Sequence, residues 1–191
     1  MFTKSALLSF LAVASIASAA PTEKRADLQP WQITSAGSFS PSGRPGSYPW
    51  LTITSNITDP NEITLGKSES DGSDVTVPAG NVGGNCQAKW LMGTSPLDHA
   101  WPCDPSGDGW WIMEVVKGDN GDFSTTNFGL KFTRVAEVLY QGSRYSKKFE
   151  GTAQLKVGDN MSGTCGGSGV CSWGLKAESK PLLVEQKEVS A

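Results

Sequence analysis

Residues 149–157 read FEGTAQLKV, and residues 51–57 read LTITSNI. In the first, Phe149, Gly151, Ala153, Leu155 and Val157 fall on one side of an extended chain; in the second, Leu51, Ile53, Ser55 and Ile57 do. A period of two puts an apolar row on one face and polar groups on the other, the pattern of a half-buried β-strand. Further strands are expected at WQITSAGSF from Trp31, SDVTVP from Ser73, CQAKWLM from Cys86, GWWIMEVVK from Gly109, FGLKFTRVAEV from Phe128, VCSWGLKA from Val170 and LLVEQKEV from Leu182. Turn formers separate them, as in SPSGRPGSYP, ESDGSD, AGNVGGN, DPSGDG and GDNGD. Asn120–Gly121 is expected to close a two-residue hairpin, because both residues tolerate positive φ. No window of helical length carries an i, i+3, i+4, i+7 apolar stripe with caps. About nine short strands punctuated in this way imply an all-β chain, a single compact antiparallel β-barrel or sandwich.

The start of the chain sets the compartment. The apolar run ALLSFLAVASIASAA ends on small residues at Ala20 and gives way to the polar PTEKRADLQP. It is short for a bilayer span, so residues 1–20 read as a secretory signal peptide and no membrane insertion is expected. Lys24–Arg25 forms a dibasic site, so residues 21–25 read as a propeptide and residues 26–191 as one β domain, with the mature chain starting at Pro21 or Ala26. The net charge is −3. Removing Lys4, Glu23, Lys24 and Arg25 leaves the chain more acidic still, with no electrostatic footprint for nucleic acid or anionic lipid.

In a secreted chain the even set Cys86, Cys103, Cys165 and Cys171 reads as disulfides. Three pairings are possible. Ease of closure favours Cys86 with Cys103 and Cys165 with Cys171, although longer crossed loops would restrict the unfolded chain more. A zinc site would want closer ligand pairs. The stretch TCGGSGVCSW, residues 164–173, then reads as a short stapled turn. It misses the G-x-S-x-G elbow at Val170, no helix is expected after Ser168, and His99, the only histidine, lies in a proline-bounded loop. No phosphate-loop lysine follows Gly169.

Other chemistries find few residues. The start at Pro21 or Ala26 lacks the N-terminal histidine of copper polysaccharide oxygenases, and one loop histidine is too few for a small β-type ribonuclease. DPSGDG begins like a calcium loop at Asp104, but its twelfth position is Val115, where a bidentate glutamate is required. No metal, cofactor or catalytic residue is therefore assigned. Two carboxylates suffice for a glycosidase, and Glu114 and Glu150 are the candidates. Among seven tryptophans, Trp101, flanked by prolines in the cysteine loop, is the expected exposed partner contact. Trp110 and Trp111 must point to opposite faces of one strand, so one of them can face outward. Asn56 in NIT and Asn160 in NMS meet the N-glycosylation rule, and Asn160 in GDNMSG is expected to project outward.

The order of signal peptide, dibasic site, early WQITS strand, four cysteines and terminal GTCGGSGVC resembles the small fungal secreted proteins of the Alternaria major-allergen-like family, over most of residues 28–189. The resemblance implies a compact antiparallel β-barrel without an established catalytic site, in a family of allergens, elicitors of plant hypersensitive cell death and virulence effectors. It implies a partner that is a host extracellular protein or receptor. The chain lacks the extra N-terminal cysteine that dimerises the allergen and has a longer loop around residues 66–85. The alternatives are a small cell-wall carbohydrate-active hydrolase or carbohydrate-binding module, and a carrier of a small aromatic compound.

Overall fold

The structure, a computed structural model, describes residues 28–190. The expected signal peptide and dibasic site lie outside the described residues. Thirteen strands follow in order: β1 (Trp31–Ser40), β2 (Trp50–Asp59), β3 (Ile63–Lys67), β4 (Asp74–Val77), β5 (Asn81–Leu91), β6 (Ala100–Pro102), β7 (Gly109–Lys117), β8 (Asn127–Tyr140), β9 (Ser143–Lys156), β10 (Met161–Cys165), β11 (Cys171–Leu175), β12 (Leu182–Val184) and β13 (Gln186–Val189). A six-stranded sheet runs β10-β11-β1-β2-β5, with β12 also on β1; a five-stranded sheet runs β13-β9-β8-β7-β6; β3 and β4 form a separate hairpin. All pairings between these strands are antiparallel.

The alternation read from the sequence is what joins the two sheets. Ile53, Ser55 and Ile57 of β2 are buried, as are Phe149, Gly151, Ala153 and Leu155 of β9. These inward rows share one core with Trp31 of β1 and Trp111, Met113 and Val115 of β7. Trp31 and Trp111 meet edge to face across the sheets at 4.7 Å, and Trp111 meets Phe132 at 6.5 Å. The hydrogen-bond ladders do not close on themselves. The architecture is a two-sheet sandwich, not the closed barrel that the resemblance implies.

Several local expectations change. Asn120–Gly121 lies in the longer connection between Lys117 and Asn127, where Gly121 N–H donates to the Gly118 carbonyl. The two-residue hairpin is Gln141–Gly142, with φ of 46° and 83°, joining β8 to β9 through the Tyr140–Ser143 pair. Both of its central residues take the positive φ that a type I′ turn requires, whereas only Gly121 of the expected pair does. AGNVGGN is largely strand: β5 starts at Asn81 and bulges at Gly84–Asn85, opposite Asn56. Gly83 is there for close approach, since a Cβ would stand 2.8 Å from the Trp111 ring. The segment 66–85 is thus no simple loop but the end of β3, β4 and the first part of β5. LLVEQKEV divides at Glu185 into β12 and β13, one in each sheet, so the C-terminal segment crosses from one layer to the other. β3, β6 and β10 were not read from the sequence.

The disulfides are Cys86–Cys103 and Cys165–Cys171, the local pairing. Cys165 and Cys171 are also the last paired residues of the β10–β11 ladder. Ser168 sits in the turn between them, which is closed by a bond from Gly166 N–H to the Val170 carbonyl. No helix among the described residues is long and apolar enough to cross a membrane.

Candidate functional site

The outward face of the five-stranded sheet carries a groove of about 610 Å³. The register builds it in rows. Trp110, Val135 and Lys148 lie side by side on β7, β8 and β9; the next row is Ile112, Thr133 and Glu150; the next sets Glu114 beside Lys131. Ile112 and Val135 floor an apolar strip, and an Arg144–Glu137 ion pair at 2.6 Å stands on the rim.

Glu114 and Glu150 therefore converge. Lys131 Nζ lies 3.2 Å from Glu114 Oε2 and 3.4 Å from Glu150 Oε2, and Lys148 Nζ lies 3.4 Å from Glu150 Oε1. Partial burial pushes the Glu150 carboxyl up, but the ammonium groups of Lys131 and Lys148 outweigh it and hold the group below its ordinary value of 4.5. Burial works to deprotonate Lys131, and its bonds and attraction to Glu114 and Glu150 outweigh that, raising its pKa. A glycosidase general acid is kept protonated by the opposite arrangement, burial without a nearby cation.

The exposed indole of the groove is Trp110, at 40 %, while Trp111 on the other side of the strand is buried. This corrects the expectation for Trp101, which is half-buried against the core with its ring 5.8 Å from that of His99. A short β6 pairs Trp101 with Met113 of β7 and lays it on the sheet, a strand concealed by Pro102, its last residue. His99 precedes β6 on the five-stranded sheet and Ser168 lies on the six-stranded one, so they do not come together.

Both sequon asparagines use their carboxamides. Asn56 Nδ2 donates to Ser35 Oγ at 3.0 Å, and Asn56 Oδ1 accepts from Asn85 N–H at 2.7 Å. Asn160 Nδ2 donates to the Gln154 carbonyl at 2.8 Å, and its Oδ1 accepts from Lys156 N–H at 2.9 Å. Asn160 thus folds back on β9 instead of projecting from the turn.

A buried charge cluster went unread in the sequence. Arg134, 1 % exposed, pairs with Asp59 and with Asp108, the latter at 3.2 Å, and its guanidinium lies 5.6 Å from the Trp111 ring centre. Asp59 Oδ1 accepts from Asn61 N–H at 2.9 Å and Nδ2 at 2.7 Å. Asn81 Nδ2 donates to Asp108, and Asn81 Oδ1 accepts from Trp111 Nε1 at 2.6 Å. Its signal was parity: in FGLKFTRVAEV, Arg134 falls in the inward row of Phe128, Leu130 and Phe132. Asp108, from the calcium-like DPSGDG, is an ion-pair partner, and Asp104 accepts from Asn85 Nδ2 at 2.5 Å. Among the described residues, no three His, Cys, Asp or Glu side chains are placed to hold a metal. No protein-family model, no curated protein and no solved structure matches the chain.

Proposed function

We propose that this chain is a secreted effector or elicitor that acts in the host extracellular space by binding a host protein or receptor. The observation that carries the reading is the composition of the β7–β9 groove: an exposed Trp110 over an apolar floor, ringed by paired lysines, arginine and glutamates. Aromatic anchors within a charged rim are the anatomy of protein interfaces. The signal-peptide reading, the two disulfides and the resemblance to the Alternaria major-allergen-like proteins support the compartment. Trp110 replaces Trp101 as the partner contact.

Infiltration of purified protein into leaf tissue, with cell death scored over a dilution series, tests this. Trp110→Ala is expected to raise the effective dose about tenfold or more, while Trp101→Ala that keeps its fold acts like the parent. Absence of cell death, with no extracellular host protein cross-linking to the parent chain, overturns it. Because Glu114 and Glu150 share the groove, a cell-wall glycoside hydrolase is the second reading. Reducing sugar released from wall polysaccharide by the parent, and lost in a folded Glu114→Gln or Glu150→Gln, would establish it instead.

A further inference from the structure

The outward face of the six-stranded sheet is made of different material. Along β2 it presents Trp50, Thr52, Thr54 and Asn56, the residues between the buried Ile53, Ser55 and Ile57. At one end Ser35, Thr54, Asn56, Asn85 and Gln87 line a hollow of about 430 Å³. At the other end stand three rings. Phe39 and Tyr48 lie 6.3 Å apart, and Lys89 Nζ sits 5.7 Å from the centre of Tyr48 and 5.1 Å from that of Trp50. Tyr48 is 52 % exposed. Between the two ends the register sets Gly174, Gly37 and Thr54 in one row, so bare backbone floors the space beside Phe39. A Cβ on Gly37 would stand 3.1 Å from the Trp173 carbonyl, which keeps that floor bare.

We infer that this face binds a neutral polysaccharide chain, laid along β2 from the rings at Tyr48 and Trp50 to the carboxamides at Asn56, Asn85 and Gln87. The chemistry selects that occupant. A sugar ring offers an apolar C–H face that stacks on an aromatic ring, and an edge of hydroxyls that pair with carboxamides and with Ser and Thr hydroxyls acting as donor or acceptor in turn. β1, β2 and β5 bring no carboxylate to the surface here, because Asp59 points into the interior. Lys89 lies over two rings instead of forming a positive patch, so an anionic ligand finds no complement, and Asp104 at the edge of the hollow is taken up by Asn85 Nδ2 at 2.5 Å. The opposite face, with its Lys131, Glu114 and Glu150, has the contrary character. From Trp50 to Asn56 the strand runs roughly 20 Å at its usual rise, room for several linked rings.

The test is calorimetric titration of the full mature chain, freed of any N-glycan so that Asn56 is bare, with hexasaccharides of β-1,4-glucose, β-1,3-glucose and β-1,4-N-acetylglucosamine. Oligogalacturonate serves as the charged control. Saturable binding to at least one neutral hexasaccharide is expected, weakened about tenfold or more in Trp50→Ala and unchanged in Trp110→Ala. Tyr48→Ala and Gln87→Ala, both at exposed positions, should also weaken it and keep the test valid if Trp50→Ala fails to fold. The inference is overturned if no neutral hexasaccharide binds, if oligogalacturonate binds more tightly, or if binding survives in Tyr48→Ala and Gln87→Ala. A concentration-dependent dimer abolished by Tyr48→Ala would overturn it too, since it would make a second copy the occupant of this face. The outcome is independent of the groove around Trp110, whose variants report on the effector reading alone.

Discussion

Two charge clusters centre on β8, each with a β8 cation between two carboxylates, and sit three residues apart in the chain; Lys148 adds a second cation to the outer one. Lys131 faces outward with Glu114 and Glu150; Arg134 faces inward with Asp59 and Asp108. An odd separation on a strand puts them on opposite faces. The outer side chains retain 32 %, 36 % and 22 % of their exposure, whereas Arg134 and Asp59 retain 1 % each and Asp108 retains 16 %. Water still solvates the outer set, so its charges stay open to a ligand. Arg134 and Asp59 have exchanged water for each other, Asn61 and the Trp111 ring, while Asp108, tied to Asn81, keeps part of its exposure. A guanidinium suits that place, because its fixed fork reaches two carboxylates at once and it is weakly hydrated. Burial therefore converts the same charges from an adjustable surface feature into a clamp joining β2, β8 and the loop before β7.

Removing the two cations should break or uphold that contrast most directly. Arg134→Ala strands Asp59 and Asp108 without their counter-charge and is expected to cost about 3–5 kcal/mol, measured as a fall in the urea midpoint. Lys131→Ala should stay within about 1 kcal/mol. Equal losses would show that burial does not separate the clusters.

The disulfides extend the comparison with smaller effects. Cys86 is buried, and Cys103 opens the loop that brings Asp108 to Arg134. Cys165–Cys171 only closes a hairpin end. Loop-closure entropy assigns about 3 kcal/mol to the first and about 2 kcal/mol to the second. Replacing Cys86 and Cys103 together by Ser should therefore cost more than the same change at Cys165 and Cys171. The first pair should also couple to Asp108→Asn in a double-mutant cycle, while the second should not. Equal costs with no coupling would detach the Cys86–Cys103 bridge from the inner cluster.

The inner cluster also shows where sequence reading stops. The period-two rows of β2 and β9, the local disulfides and the all-β class were legible because each follows from near neighbours in the chain. Arg134 had the inward parity of Phe132, but its partners come from residues 59 and 108, and no local pattern points to pairs that distant. The convergence of Glu114 and Glu150 needed the register of three strands, although both residues could be named as candidates. The exposure of Trp101 is not legible because Pro102 points to a loop, whereas a three-residue strand that includes this proline pairs Trp101 with β7 and half-buries it. Asn120–Gly121 had the turn chemistry, but the hairpin formed at Gln141–Gly142, where β8 and β9 stay paired to their ends.

The smallest effect is the most specific to the outer cluster. Lys131 and Lys148 hold Glu150 below its ordinary 4.5 against the opposing pull of burial. A carboxyl with a depressed folded value adds stability that is fully present above its unfolded value and is lost as pH falls through the folded one. The Glu150 contribution should thus be constant above about pH 5 and vanish in acid. Asp71 and Asp119 are also held low, chiefly by hydrogen bonds from Ser73 and Asn127, so acid unfolding of the whole protein does not report on Glu150 alone. Site-resolved NMR of the Glu150 carboxyl carbon separates them. In the parent its midpoint should lie below 4.5; in Lys131→Met it should rise, because the burial that opposes ionisation remains while one of its two cations is gone. An unmoved midpoint would mean that Lys131 does not govern Glu150, and the outer triad would lose its claim to be the exposed counterpart of the inner one.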